Sequence, residues 1–395
     1  MSFIMSTYGP TKAKFLKGSG ASLFDEHGRE YVDLLSGIAV TSLGHAHPEI
    51  SEVMASQAAK LSHTSNFFAN EFSEKVAEGL ASAVADGGSP SGKVFFCNSG
   101  AEAMESALKV VRRAKGPSGN IVTALGSFHG RTYGALSATG QQAKQAPFAP
   151  LLPGFAHLPY GDLDAMAQYC ANNEVAAIAL EPIQGEGGVI VAPEAYLEGV
   201  AKLAKQVGAL LLLDEVQTGI GRTGRWCGFH HDAGSPLAFK PDVVTFAKAL
   251  GNGMPVGACW ASEEVSQVMV PGDHGSTFGG QHLAMAVADK VLSIVERDGL
   301  IVRAQALGAI FASELSKVDG VAEVRGRGLL LGVALDSARA GEVADEALKA
   351  GLVVNAVIAD TLRLAPPLIL TDAEALDASA RLAAVISAVM NNEAA

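Results

Sequence analysis

The sequence predicts an α/β fold: a mostly parallel sheet covered by helices on both faces, joined to a smaller α+β unit. Three observations predict it. Short continuous apolar runs alternate with longer amphipathic stretches, and a strand buried on both faces has no polar side to show. Each run is bounded by Gly, Pro, Asp or another polar residue, as strands are. The last hundred residues change character and carry runs of both kinds, as α+β units do.

The elements follow in order. Residues 21–33 read as a hairpin-like piece and 48–60 as a helix. Buried strands are expected at 94–97, 121–125, 176–181, 209–214 and 243–247. A helix is expected at 101–115, where Ala101, Met104, Leu108 and Val111 recur at helical spacing. Residues 197–207 and 283–297 read likewise. Beyond them, 321–335 and 352–364 look like strands, and 298–317, 340–349 and 372–391 look like helices. The expected organisation is an N-terminal segment, 1–67, packing with the C-terminal part; a large α/β domain, 68–291; and a small α+β domain, 292–395.

Composition narrows the function. The 395 residues suggest two or three domains, and 49% apolar with 18% charged residues fills a core and excludes a disordered chain. The 44 glycines have no three-residue period, which excludes collagen. The charge is 29 − 41 = −12, which argues against an extended nucleic-acid surface or an anionic membrane as partner. It leaves a local phosphate pocket open. The cysteines, Cys97, Cys170, Cys227 and Cys259, lie far apart with no CxxC pair, so buried reduced thiols are expected and no metal cluster. Residues 1–17 show no apolar core followed by a cleavage site, and stretches such as 209–213 are too short to cross a bilayer. A cytoplasmic location is expected.

Three motifs carry chemistry. The run ending at Asp214 and Glu215 puts an acid at the carboxyl end of a strand, where parallel sheets bind ligands. A buried carboxylate there needs a cationic partner; an ordinary strand-to-loop acid is the plain alternative. Lys248 closes another apolar run before a glycine-rich turn. Buried, it becomes an amine nucleophile with a lowered pKa; snorkelling to solvent is the alternative. Ser99, Gly100 and Ala101 follow a strand and open a helix, the physical recipe for a phosphate cradle. A helix cap by Ser99, with Glu102 completing a capping box, fits as well. Together the three suggest pyridoxal phosphate, with the lysine bonded to it and the acid holding its ring nitrogen protonated. Phe128 and Val216 are candidates for its two faces.

Other motifs are set aside. Residues 219–224 match G-x-G-x-x-G, but no clean helix follows, so no dinucleotide site is expected. His45 with His47, and His230 with His231, have no recognised ligand spacing, so no metal site is expected.

With these residues assembled, the chain resembles the class III (ornithine-type) aminotransferases of fold type I nearly end to end. The likeness runs through Ser36-Gly-Ile-Ala-Val40, Gly44-His-Ala-His-Pro48 and Asn98-Ser-Gly-Ala-Glu-Ala103. It continues in Phe128-His-Gly-Arg-Thr132, Leu136-Ser-Ala-Thr-Gly140, Glu181-Pro-Ile-Gln-Gly-Glu-Gly-Gly188 and Asp214-Glu-Val-Gln-Thr-Gly219. Phe246-Ala-Lys248, Gly275-Ser-Thr-Phe-Gly279, Arg325-Gly-Arg-Gly328 and Leu362-Arg-Leu-Ala-Pro366 complete it. The resemblance implies a fold type I large domain with a mostly parallel seven-stranded sheet flanked by helices, and a smaller α+β domain built from both chain termini. It also implies pyridoxal 5′-phosphate as cofactor and a homodimer with the active site at the subunit interface.

The activity it implies moves the terminal amine of N-acetylornithine to 2-oxoglutarate by a ping-pong route, in arginine biosynthesis. N-Succinyl-diaminopimelate, succinylornithine, ornithine and 4-aminobutyrate enzymes share the motifs and remain alternatives. A silent binding protein of the same fold is the alternative of another class, against which Lys248, Asp214 and both arginines stand.

Residue by residue, the resemblance makes Lys248 the cofactor-bonded lysine and proton shuttle, and Asp214 the partner of the pyridine nitrogen. Gln217 reaches the ring's phenolic oxygen, Phe128 stacks on one face and Val216 packs on the other. Gly100 and Ala101 give N–H groups to the phosphate, with Ser99 beside them, and Thr277 reaches the phosphate of the neighbouring subunit. Arg363 takes the α-carboxylate of 2-oxoglutarate or glutamate. Arg131 takes the carboxylate at the other end, or that of acetylornithine, and Ser276 touches substrate. Glu186 neutralises Arg363 when an ω-amine enters. Met104, where Asn is common, and Gln281, likewise, depart from the pattern and touch only fine substrate preference.

Overall fold

The computed structural model describes residues 3–233 and 237–392. The outermost residues of the expected first and third segments, and 234–236, lie outside the described residues. The seven strands of the central sheet are β1 (Lys93–Cys97), β2 (Asn120–Ala124), β3 (Phe155–Leu158), β4 (Val175–Leu180), β5 (Leu210–Asp214), β6 (Val243–Phe246) and β7 (Gly257–Ala261). They lie in the order β1-β7-β6-β5-β4-β2-β3. Neighbours from β6 to β3 are parallel, and only β7 runs antiparallel to both its neighbours.

Alternation along β5 explains why the sheet is covered on both sides. Every residue of Leu210–Asp214 is buried, and successive side chains point to opposite faces. Leu210 and Leu212 join Met104, Leu108 and Val111 of the helix Gly100–Lys115 in one core. Leu211 and Leu213 join Leu197 and Val200 of Tyr196–Val207, and Val287 and Val291 of His282–Arg297, in the other. The central strands β4, β5, β6 and β7 are therefore covered on both faces, and polar side chains can gather at the strand ends.

The C-terminal part holds an antiparallel sheet in the order Val321–Arg327, Leu330–Leu335, Thr361–Leu364, Asn355–Ile358. The expected run 321–335 is thus a hairpin. It turns at Gly328, whose φ of +52° suits glycine. The run 352–364 also breaks, and its first piece, Leu352–Val353, leaves for another sheet. There it pairs parallel with Glu30–Asp33, Leu352 opposite Val32, beside the strands Phe15–Ser19 and Ser22–Asp25.

The segment 219–224 ties these regions together. Arg222 is fully buried and donates to the carbonyls of Leu329 (3.1 Å) and Pro366 and to the Ser42 hydroxyl (2.9 Å). Burial pushes its pKa down to about 9. The four cysteines are buried and unpaired by disulfides. Among the described residues no helix is long and apolar enough to cross a membrane.

Candidate active site

The carboxyl ends of β1, β2, β4, β5 and β6 converge on a cavity of about 410 Å³. This is where a parallel sheet leaves room for a ligand. Ten of the expected site residues line it: Ser99, Gly100 and Ala101 after β1; Phe128 and Arg131 after β2; Glu186 after β4; Asp214, Val216 and Gln217 at and after β5; and Lys248 after β6.

Asp214 sits 4% exposed. One carboxylate oxygen accepts from the Val216 N–H (3.0 Å) and the Thr245 hydroxyl (3.1 Å). The other is 2.7 Å from Nδ1 of His129, a partner of the kind that a buried carboxylate needs. His129 is itself buried, and its Nε2 has no hydrogen-bond partner among the described residues. Burial pulls its pKa down, but the hydrogen bond and charge of Asp214 and the charge of Glu181 outweigh that and raise it. Sequence reasoning missed His129 as a site residue. The signal was present: it follows Phe128 directly, and the Asp214 run needed a cation. Glu181 also lines the cavity. Burial pushes its pKa up to about 7, although its carboxylate accepts from the N–H groups of Phe128 (3.0 Å) and Gly185 (3.2 Å).

Lys248 follows β6 in the left-handed region, φ +43°, a conformation that costs a side-chain-bearing residue about 1 kcal/mol or more. Its ammonium makes no hydrogen bond or ion pair among the described residues. Burial and then the charge of Arg363 push its pKa down to about 8, against the opposing pull of Glu186, Asp214 and Glu181.

The helix start after β1 behaves as a cap, with one correction. The Ser99 hydroxyl accepts from the Glu102 N–H at 3.2 Å. The Glu102 carboxylate turns instead to the N–H of Asn98 at 2.5 Å, so the box closes one residue early. Gly100 is needed for closeness: a Cβ there would stand 2.7 Å from a methyl of Val216. The first-turn N–H groups of Gly100 and Ala101 have no intrahelical partner, and both residues line the cavity.

Arg363, on the strand Thr361–Leu364, is 1% exposed. It pairs with the Glu186 carboxylate and donates to Gln217 Oε1 (3.2 Å) and Asn355 Oδ1 (3.3 Å). Burial raises the Glu186 pKa, but Arg363 more than offsets it, and the result is a lowered value. Arg131 is exposed, with its guanidinium 5.6 Å from the centre of the Phe128 ring. Ser276 and Thr277 do not join this cavity. They line open clefts nearby, with Asn66, Phe67 and Phe68 in the larger and Phe278 in the smaller. Ser276 reaches the site only through its hydroxyl, which accepts from the Asn98 side chain at 3.1 Å.

Three of the four histidines set aside in the sequence find protein partners, whereas His47 Nδ1 is buried with no hydrogen-bond partner among the described residues. His45 meets Asp33 at 2.8 Å, and His231 meets the Thr223 carbonyl at 2.9 Å. Among the described residues no group of His, Cys, Asp and Glu could hold a metal ion.

A family model described as aminotransferase class-III matches residues 4–386. The acetylornithine aminotransferase of Corynebacterium efficiens is 46% identical over 389 residues, 97% of this chain and 95% of that protein. The crystal structure of N-acetylornithine aminotransferase from Stenotrophomonas maltophilia matches with a TM-score of 0.82 and 36% identity, covering 98% of each chain. An ornithine aminotransferase from Toxoplasma gondii, whose structure reveals partial occupancy of PLP at the active site, matches with a TM-score of 0.91. It is 35% identical and covers 98% of this chain and 93% of that one.

Proposed function

Because the chain belongs to the class-III aminotransferases, a family that works with pyridoxal phosphate, we propose that it transfers the terminal amine of N-acetylornithine to 2-oxoglutarate. The products are N-acetylglutamate 5-semialdehyde and glutamate, a step that serves arginine synthesis. The residues fit the cofactor. A partly buried lysine without a hydrogen bond or ion pair among the described residues, a carboxylate held by a histidine, and a glycine-opened helix start all face one cavity. Lys248 holds the cofactor, Asp214 its ring nitrogen and Gln217 its phenolic oxygen. Gly100, Ala101 and Ser99 hold its phosphate, and Phe128 and Val216 its two faces. When bound, pyridoxal phosphate would supply an electron sink for the carbon that bears the substrate amine.

The chain's own groups do the rest. Asp214, held by the Val216 N–H, the Thr245 hydroxyl and His129, would set its carboxylate where it stabilises a proton on the ring nitrogen. Lys248 Nζ, once free, takes the proton from the amine-bearing carbon; its pKa near 8 lets it accept and return that proton at neutral pH.

The observation that carries the substrate reading is the pairing of Arg363 with Glu186. The reacting end of an ω-amine donor has no carboxylate, and a buried guanidinium left unpaired beside it is expensive. Glu186 removes that cost, and 2-oxoglutarate replaces it with its own carboxylate in bidentate geometry. Arg131 at the mouth suits the carboxylate at the far end of either substrate. A homodimer is supported by the exposed Phe67, Phe68 and Phe278 beside Thr277, a patch that a second copy would cover. A cytoplasmic location accords with this chemistry.

The test follows the absorbance of the loaded protein. N-Acetylornithine alone should bleach the long-wavelength band, and 2-oxoglutarate should restore it. Specificity constants across N-acetylornithine, succinylornithine, N-succinyl-diaminopimelate, ornithine and 4-aminobutyrate then decide the donor; a clear preference for free ornithine would defeat the acylated choice.

Capture of the cofactor also has a pH signature. Only the neutral amine of Lys248 attacks, so capture by the unloaded protein should accelerate as pH rises and level off above about 8. An ordinary lysine would keep accelerating to about 10.4. In the window between those values the unfolded chain binds more protons than the fold, so this group adds stability as pH rises. Stopped-flow absorbance across the range measures the first effect; a rate still climbing past pH 9 would contradict the lowered pKa.

A further inference from the structure

Resting on the reading above, the second half of the reaction raises a question of where a charge goes. Arg363 must receive a carboxylate, but Glu186 already occupies it. The Glu186 carboxylate has to leave, and it lies in a partly buried place, 24% exposed, where an unpaired charge is costly. Three cations act on it: Arg363, Lys248 and Lys144. The incoming carboxylate takes the first, and the second is engaged in the chemistry. Lys144 remains.

Lys144 is built to wait there. It lies on the short helix Gln142–Gln145, half-buried, with its ammonium 5.4 Å from the centre of the Phe128 ring. That ammonium donates to Gln141 Oε1 and to no other acceptor among the described residues, leaving two of its three donors unused. The Gln141 amide is anchored in turn to the carbonyls of Gly126 (3.1 Å) and Ser127 (3.2 Å). The same Gly126 carbonyl lies 3.0 Å from where a Cβ of Gly187 would stand, one residue from Glu186. The loop that aims Lys144 and the loop that carries Glu186 therefore touch.

We propose that Lys144 is the second partner of Glu186: as a substrate carboxylate takes Arg363, the Glu186 carboxylate passes from that guanidinium to the Lys144 ammonium. Lys144 is then a positioning residue for the 2-oxoglutarate half of the cycle. It acts through Glu186 and makes no contact with substrate.

The test uses Lys144→Met, which keeps the apolar stem over Phe128, alone and combined with Glu186→Gln. Two readouts apply. The first is the dissociation constant of glutarate, which carries both carboxylates and no reacting carbonyl, measured calorimetrically on the loaded dimer or monomer as isolated. The second is the concentration dependence of the 2-oxoglutarate half-reaction, begun from protein loaded with pyridoxamine phosphate. That start makes the result independent of which amine is the donor.

Lys144→Met should weaken glutarate roughly fivefold, the scale of a partly exposed ion pair, and raise the 2-oxoglutarate half-saturation alike. Lys144→Arg should restore both. With Glu186→Gln already present, Lys144→Met should change neither by more than about 1.5-fold, because the carboxylate to be received is gone. An equal weakening in both backgrounds would mean that Lys144 binds the dicarboxylate itself and would overturn the proposal. So would no weakening in either. If glutarate and 2-oxoglutarate behave as expected while N-acetylornithine fails as donor, the substrate reading falls and this inference stands.

Discussion

Lys248→Ala protein should lose transamination by at least about four orders of magnitude, the upper end of what one positioned acid–base group contributes. The loss has two sources. No amine remains to bond the cofactor, and no neighbouring group can replace the proton carrier: Glu181 accepts two backbone N–H groups, and Glu186 is held by Arg363. The substitution removes a cation that burial disfavours, and alanine at φ +43° bears the same left-handed cost as lysine, so folding should not suffer. The check is a single-turnover measurement on loaded variant, with a thermal melt alongside. A variant that turned over within tenfold of wild type would remove Lys248 from the chemistry. One that failed to fold would show that its buried ammonium supports the structure.

Asp214→Ala should lower kcat by about a thousandfold, the scale of removing a preorganised charge from a dry site. It should also lower stability, because Val216 N–H, the Thr245 hydroxyl and His129 Nδ1 all lose their acceptor at once. Asp214→Asn separates the two effects. An amide keeps one oxygen for the Val216 and Thr245 donors, so the melting temperature should stay near wild type while turnover remains low. The His129 imidazole should then fall below its raised pKa, since Asp214 is what raises it. Titration of that imidazole by NMR in the Asn variant measures the shift directly. If Asp214→Asn kept wild-type turnover, the negative charge would have no part in the reaction.

Much of the fold is legible in the sequence because five of the seven strands of the large sheet are continuous apolar runs. β1, β2, β4, β5 and β6 each begin and end within a residue of expectation. The two that escape are different in kind. β3, Phe155–Leu158, is an edge strand only half buried throughout, and β7, Gly257–Ala261, is built largely of small residues. Neither gives a strong apolar run. In the C-terminal part, Gly328 and the break after Val353 turn expected single runs into several strands, because turn geometry interrupts pattern without changing composition.

The candidate site divides in the same way. Asp214 and Lys248 are readable because a charge closing an apolar strand is unusual. Arg363 is found through resemblance, since nothing local marks an arginine within a short strand as functional. His129 and Lys144 stay hidden because their importance lies in what other loops bring to them: Asp214 is 85 residues away from the first, and the loop carrying Glu186 touches the anchor of the second. Ser276 and Thr277 lie outside the cavity altogether, and only a second subunit would give Thr277 a phosphate to reach.

The parallel pairing of Leu352–Val353 with Glu30–Asp33 has a consequence during synthesis. The two partners are separated by 352 − 33 = 319 residues. At about 5–20 residues per second, the N-terminal strands leave the ribosome roughly 15–60 s before their last neighbour exists. Throughout that interval the Glu30–Asp33 strand presents an open backbone edge, a template for pairing with any other chain. The contact that closes it spans nearly the whole polypeptide, so it belongs to the late, slow phase of folding. Aggregation of the nascent chain should depend on how long that edge stays open, and folding helpers should be needed most before residue 353 emerges.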